Sequence, residues 1–150
     1  MYDPIRFATA EDAESIADFQ IAMALETENK TLCPDEVLTA VKSVFADTQK
    51  GFYLVADVDS EVVGSLMITY EWSDWRNCNM WYIQSVFVKP ANRGKGLFSQ
   101  MFHKVVELAK KENAMYVRLY VETENEKAQA AYENLGMKRM PYFMYDMKVE

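Results

Sequence analysis

The stretch Val86-Phe87-Val88-Lys89-Pro90-Ala91-Asn92-Arg93-Gly94-Lys95-Gly96-Leu97 combines the residue types needed to hold an anion. An apolar strand runs into a glycine-containing turn, and the turn opens an amphipathic helix. At such an entrance free backbone N–H groups meet the positive end of the helix dipole. Gly94 and Gly96 have no Cβ, so an anion can approach the main chain closely. Arg93 and Lys95 add positive charge to a chain whose net charge is −7. The ligand class is a phosphate or diphosphate. A plain strand-to-helix loop with two structural glycines is the alternative, and the context favours the anion site. The pattern lacks the Gly-Lys-[Ser/Thr] of a nucleoside-triphosphate loop, and it has Ser99 where a dinucleotide fingerprint requires a third glycine.

A second stretch runs from Asn125 through Ala128 and Tyr132 to Gly136 and Met137. Asn125 stands where a strand gives way to a helix, a natural capping position. Ala128 and Tyr132 are four apart and share one helix face. Together the two stretches resemble the GNAT superfamily of acyl-CoA N-acyltransferases. Residues 88–96, Val-x-Pro-x-x-Arg-Gly-x-Gly, are similar to its pyrophosphate-binding motif, with Ala91 where Gln or Arg is usual. Residues 125–137 are similar to its Asn-x-x-Ala-x-x-x-Tyr-x-x-x-Gly-Phe/Met signature, and the opening Ile-Arg-Phe-Ala-Thr-x-x-Asp also looks like that family.

The resemblance implies acetyl-CoA as cosubstrate and an amine as acceptor, with no metal. Amides around Arg93, Gly94, Lys95, Gly96, Leu97 and Phe98 would hold the pyrophosphate, with Asn125 and Ala128 on the second half of the site. The pantetheine arm would lie between two splayed parallel strands, at 80–88 and 115–121, against Val86, Phe87 and Val88. A backbone N–H near Val86 or Phe87 would then stabilise the oxyanion. Tyr132 would protonate the departing thiolate as a general acid; an interface tyrosine that only packs is the bland reading. The amine must lose a proton before it attacks, since alkylamines have a pKa near ~10. Many relatives carry Glu at the place of Gln84, which cannot act as a base. Glu71, Asp74 and Glu122 remain as candidates, directly or through water. Glu71 ranks first because it leaves a strand beside an aromatic loop, although most carboxylates are simply solvated or paired.

That loop, Tyr70-Glu71-Trp72-Ser73-Asp74-Trp75-Arg76, could form a cation-binding acceptor pocket. Trp81, Tyr82 and Tyr142 could add to it, and Glu26 and Glu28 could line the same groove from the loop between the first two helices. Equally, the tryptophans could fill core space or a dimer interface. His103 and Cys78 read as bystanders.

These residues must be positioned by the elements around them. Residues 5–9 read as a strand, with Thr9 and Asp12 capping a helix over 10–27. Pro34 opens a second helix. Strands follow at 52–56, 62–70 and 80–88, the first two joined as a hairpin. An amphipathic helix begins at Leu97, a strand spans 115–121, a short helix spans 126–135 with Gly136 as its C′ residue, and 142–149 alternates as a last strand. The fold class is α/β in an α+β layered form. By the resemblance, a mixed, mostly antiparallel sheet of six to seven strands is flanked by four helices.

The 150 residues fit a single domain. Half are hydrophobic, ample material for burial, which argues against disorder. No apolar run approaches the ~18 residues that span a bilayer, and the N-terminus lacks the pattern of a secretory signal, so a cytoplasmic enzyme with no membrane partner is expected. The acidic balance opposes nucleic-acid binding. Two cysteines and one histidine offer neither a disulfide scaffold nor zinc spacing. Two other classes compete with the enzyme: a non-catalytic acyl-CoA sensor of the same fold, kept open by Gln84, and a structural dimerisation module. A homodimer is left open.

Overall fold

A computed structural model gives the fold of residues 2–150. The chain falls into two compact units, one running to Leu119 and the other spanning Tyr120–Glu150.

The first unit is built on a five-stranded sheet in the order β1-β2-β3-β4-β5: β1 (Ile5–Phe7), β2 (Phe52–Val58), β3 (Glu61–Ser73), β4 (Cys78–Val88) and β5 (Val117–Arg118). The first three pairings are antiparallel, and β4 with β5 is parallel. Val58 pairs with Glu61 across Asp59 and Ser60, both at positive φ (52° and 66°), which is the geometry of a two-residue hairpin turn. Period-two alternation then sorts side chains between the faces. Tyr53 and Val55 pack with Ala13, Ile16 and Ala17 of α1 (Ala13–Glu28) and with Val41 and Val44 of α2 (Pro34–Ala46). On the opposite face lies α3 (Leu97–Lys111), with Met101 and Val105 fully buried. No helix among the described residues is long and apolar enough to cross a membrane.

The start of α1 is fixed by one buried carboxylate. Thr9 precedes a 3₁₀ turn (Ala10–Asp12), and its backbone N–H donates to Asp12 Oδ2 at 2.8 Å, the expected capping arrangement. Arg6 Nη1 and Nη2 donate to the same carboxylate at 2.8 and 3.2 Å, while Arg6 Nε reaches Asp57 Oδ2 at 3.1 Å. Burial pushes the Asp12 carboxyl up, but the Arg6 and Thr9 hydrogen bonds outweigh it and the net shift is downward. A carboxyl lowered in the folded state stabilises above its unfolded pKa of about 3.9, and that stability is lost as pH falls through the folded value. Asp12→Asn should therefore cost about 1–2 kcal/mol near neutrality, discounted for the partial exposure of Arg6. In urea titrations the gap between native and variant should close below about pH 4. A gap that persists undiminished at pH 2 would show that the ion pair is not its source.

The second unit contains α4 (Glu126–Asn134) and no strand. The sheet thus has five strands, where six to seven were expected. A strand exists only within a ladder. Tyr142–Val149 alternates as predicted but joins no ladder among the described residues, and the strand expected over 115–121 pairs with β4 only at Val117 and Arg118. The four helices stand as expected.

Candidate functional site

β4 ends at Val88, a 3₁₀ turn covers Pro90–Asn92, and α3 begins at Leu97. Between them Gly94 and Gly96 adopt left-handed backbone conformations, φ 75° and 79°, which favour glycine over any L side chain. A Cβ built at either position meets no atom within 4 Å, so both glycines border open space. Among the described residues, the amides of Gly94, Lys95, Gly96 and Leu97 enter no main-chain hydrogen bond. The first residue of α3 to donate back is Gln100, to Gly96 O at 3.1 Å. Four unbonded amides at the positive end of a fifteen-residue helix make a fitting cradle for an anion.

Arg93 behaves differently from the expectation that its charge and amide would meet the anion. Its amide donates to Pro90 O at 3.3 Å. Its guanidinium grips Glu26 through two bonds, 2.7 and 2.9 Å, donates to Val88 O at 2.8 Å, and lies 5.4 Å from the Phe87 ring centroid. Hydrogen bonding to Arg93 holds the Glu26 carboxyl below its usual range against a slight burial effect, and Glu26 raises Arg93 in turn. Arg93 therefore braces the turn against α1, and Glu26 is committed to it. Both Glu26 and Glu28 lie in the last turns of α1, not in the following loop. Glu28 sits 3.7 Å from Lys30.

β4 carries a bulge beside this turn. Met67 pairs with Gln84 and Ser65 with Phe87, so Ser85 and Val86 together oppose Leu66. Ser85 takes φ 54°, a strained value for a residue with a side chain. The bulge reverses the alternation: Trp81 lines the α3 face, whereas Phe87 stacks on Phe19 of α1, centroids 5.2 Å apart. On its other side β4 pairs with β5 at Trp81 and Tyr82, and among the described residues 83–88 pair with no strand on that edge. That open edge, which includes Val86, Phe87 and Val88, leads directly into the glycine turn.

The pleat divides the aromatic stretch between the two faces. Tyr70 and Trp72 line a pocket of about 550 Å³ on the α3 face, with Phe52, Trp81, Leu108 and Glu112. Burial, then the nearby Glu112 carboxylate, pushes the Tyr70 phenol up. By alternation Glu71 belongs to the opposite face, with Thr69 and Gln84, where Gln84 Nε2 donates to Thr69 Oγ1 at 2.6 Å. On that α1/α2 face a second groove of about 320 Å³ is lined by Gln20, Cys33, Glu36, Tyr53, Met67 and the bulged Ser85. Trp75 is 93% exposed in the β3–β4 loop, and Asp74 beside it is exposed as well. Of the loop residues, Asn77 lines the α3-face pocket, whereas Asp74 and Trp75 do not. Both cysteines are free thiols.

In the second unit Asn125 caps α4 as expected, its Oδ1 accepting from the Ala128 amide at 3.0 Å. Gln129 Nε2 donates to Glu122 O and Thr123 O at 3.1 and 3.0 Å, tying the incoming chain to the helix. The helix closes in a Schellman pair, Met137 N to Tyr132 O and Gly136 N to Glu133 O, with Gly136 at φ 97°. Burial pushes the Tyr132 phenol above its ordinary value, so it stays protonated at neutral pH.

The model of the Acetyltransferase (GNAT) family matches residues 19–137. This chain belongs to that family. The GNAT match covers both the glycine turn and α4. A crystal structure described as a possible acetyltransferase from Clostridium difficile 630 is 44% identical, with a TM-score of 0.92 over 97% of each chain. A predicted acetyltransferase with acetyl-CoA from Clostridium acetobutylicum shares the fold at 15% identity, with a TM-score of 0.80 over 95% of this chain and 94% of that one. Among curated proteins, thialysine N-epsilon-acetyltransferase of Bos taurus is 35% identical over 75 residues, 50% of this chain. That match spans 44% of the bovine protein, and the porcine counterpart is matched over 54% of its length, so the chain spans about half the length of these relatives.

For a GNAT chain, the features missing from the sequence reading are the bulge at Ser85 and the groove residues Gln20, Cys33, Glu36 and Tyr53. A serine between Gln84 and Val86 carries no local mark of a bulge, since only strand register reveals one. Glu36 has the Pro-Asp-Glu context of an ordinary first helical turn. The acidic first turn of α2 was visible, but its approach to the sheet was not.

Proposed function

We propose that this chain transfers an acetyl group from acetyl-CoA to an amine by direct attack, with no covalent enzyme intermediate. The observation that carries the reading is the entrance to α3: four unbonded amides, two left-handed glycines and open space, continuous with the unpaired edge of β4. When bound, acetyl-CoA supplies an acyl group activated as a thioester. Amides of Gly94, Lys95, Gly96 and Leu97 hold its diphosphate, and residues 86–88 hold its arm along the open edge. A β4 amide beside the Ser85 bulge, at Val86 or Phe87, would stabilise the negative charge that develops on the carbonyl oxygen. Asn125 and Ala128 belong to the second half of the coenzyme site, and Tyr132 supplies the proton for the departing sulfur.

The acceptor reaches the α1/α2 face, where Glu36 and Glu71 suit an ammonium. Glu71 takes its proton, directly or through a water held by Gln84 and Thr69. Glu71→Gln should lower turnover roughly 10²-fold, with little change in acetyl-CoA affinity. Thiol release measured across an amine panel checks this, and native turnover in the variant would move the role to Glu36, Asp74 or Glu122. The same assay tests the main reading: an acetyl-CoA titration without heat of binding would remove it. The hydrogen bond from Gln84 to Thr69 keeps one other reading in view, an acyl-CoA sensor, because the position holds no carboxylate. Binding without thiol release on any amine would select the sensor.

A further inference from the structure

The groove on the α1/α2 face is lined by residues of the first unit alone, and its lining is uneven. Leu32, Val37, Ala40, Val41 and Met67 give it an apolar wall. Val37, Ala40 and Val41 share one face of α2, being three and four residues apart. Met67 lies between Tyr53 and Gln84 in the sheet, paired with both. A few polar groups interrupt this wall. Tyr53 is only 5% exposed, yet its hydroxyl has no hydrogen-bond partner among the described residues. Burial pushes that phenol up, so it stays neutral. The side chains of Gln20 and Ser85 also line the groove, and neither makes a hydrogen bond among the described residues. Glu36 is the one Asp, Glu, Lys or Arg in the lining. Cations are scarce around it. α1 carries four carboxylates and no Lys or Arg, and α2 carries Asp35, Glu36 and Lys42, which is exposed and does not line the groove. Lys30 and Arg93 are taken up by Glu28 and Glu26.

We infer that the acceptor is a small primary amine on an apolar body without a carboxylate, an alkylamine or arylalkylamine. This names the substrate class for the function proposed above and rests on that reading. Charge and surface both select it. The acidic helices and Glu36 draw in the ammonium form. Val37, Val41 and Met67 cover an apolar body, while Gln20, Tyr53 and Ser85 offer oxygens to the nitrogen. Ser85 marks the reacting end, because the Val86 and Phe87 amides follow it directly. A carboxylate on the same amine would lose its water, meet no cation in the lining and be repelled by Glu36. Free amino acids are thereby disfavoured, although they carry the same reacting group. The volume of about 320 Å³ stands near the lower end of ligand pockets, about 300–1,000 Å³, so one small molecule fills it.

The test pairs amines that differ by one group. At saturating acetyl-CoA, kcat/KM from thiol release should be at least about 10²-fold higher for phenethylamine than for phenylalanine. Along ethylamine, butylamine and hexylamine it should rise about fourfold per methylene. Glu36→Lys, at an exposed position, should narrow the phenethylamine preference at least about tenfold and leave acetyl-CoA affinity unchanged by calorimetry. The Met67 methyl resonance, identified with Met67→Leu, gives a readout independent of turnover. With coenzyme A present, phenethylamine should shift that signal and an equal concentration of phenylalanine should not. Phenylalanine that reacts as fast, or shifts Met67 as far, overturns the substrate class and leaves the transferase reading intact. Phenethylamine that leaves Met67 unmoved overturns the groove as the seat of the acceptor. Acetyl-CoA bound without thiol release from any amine overturns the transferase reading itself, and the substrate class with it.

Discussion

Gly94→Glu should lose acetyl-CoA binding by at least about 10²-fold while the protein stays folded. Three effects act in the same direction. The φ of 75° places an L side chain in the left-handed region, at a cost of roughly 1–2 kcal/mol. The new side chain enters space that is now empty within 4 Å, the space an anion needs. Its carboxylate then faces the diphosphate: at ~4 Å and an effective dielectric near 20, each pair of like charges costs about 4 kcal/mol. Gly94→Ala separates these terms, because it keeps the strain and adds a methyl group but no charge. Its affinity should fall about tenfold. Calorimetric titration reads both values, and thermal unfolding checks the fold, which should move by only a few degrees because Gly94 is exposed. A folded Gly94→Glu that binds like the native protein would place the anion elsewhere.

What could be read from the sequence follows the range of the interactions involved. The glycine turn and the α4 caps are local. Gly94, Gly96, Asn125 and Gly136 each act on backbone within a few residues, so their chemistry is visible in the string, and the structure has them in left-handed or capping geometry. The hairpin at Asp59 and Ser60 is local for the same reason. The bulge at Ser85 is not, because it exists only in the register between β3 and β4. Spacing along the aromatic stretch does not by itself state which of its residues share a pocket. One step of the pleat sends Tyr70 and Trp72 to the α3 face and Glu71 to the other. Arg93 and Glu26, 67 positions apart, meet only after α1 has packed on the sheet, so Arg93 looked like a free cation. The tail failed as a strand in a more informative way. Its residues alternate, but a strand exists only within a ladder, and alternation names no partner.

Tyr132→Phe isolates a single proton. Breaking the thioester leaves a thiolate whose conjugate acid has a pKa near 8.5, so protonation assists departure without being indispensable. A positioned acid contributes about 10²–10⁴ in rate, and the lower end suits a leaving group this stable. Turnover should fall about 10²-fold. Affinity for acetyl-CoA should hardly change, because the phenyl ring keeps its packing and only the hydroxyl is lost. The pH profile supplies a readout that a merely structural role would not move. A phenol raised above 10 by burial must be protonated to act, so native turnover should hold through neutral pH and fall only above about pH 10. In the phenylalanine variant that alkaline limb should vanish, while the acidic limb set by the base remains. Should the variant keep full turnover and the same alkaline limb, the proton comes from water and Tyr132 only packs.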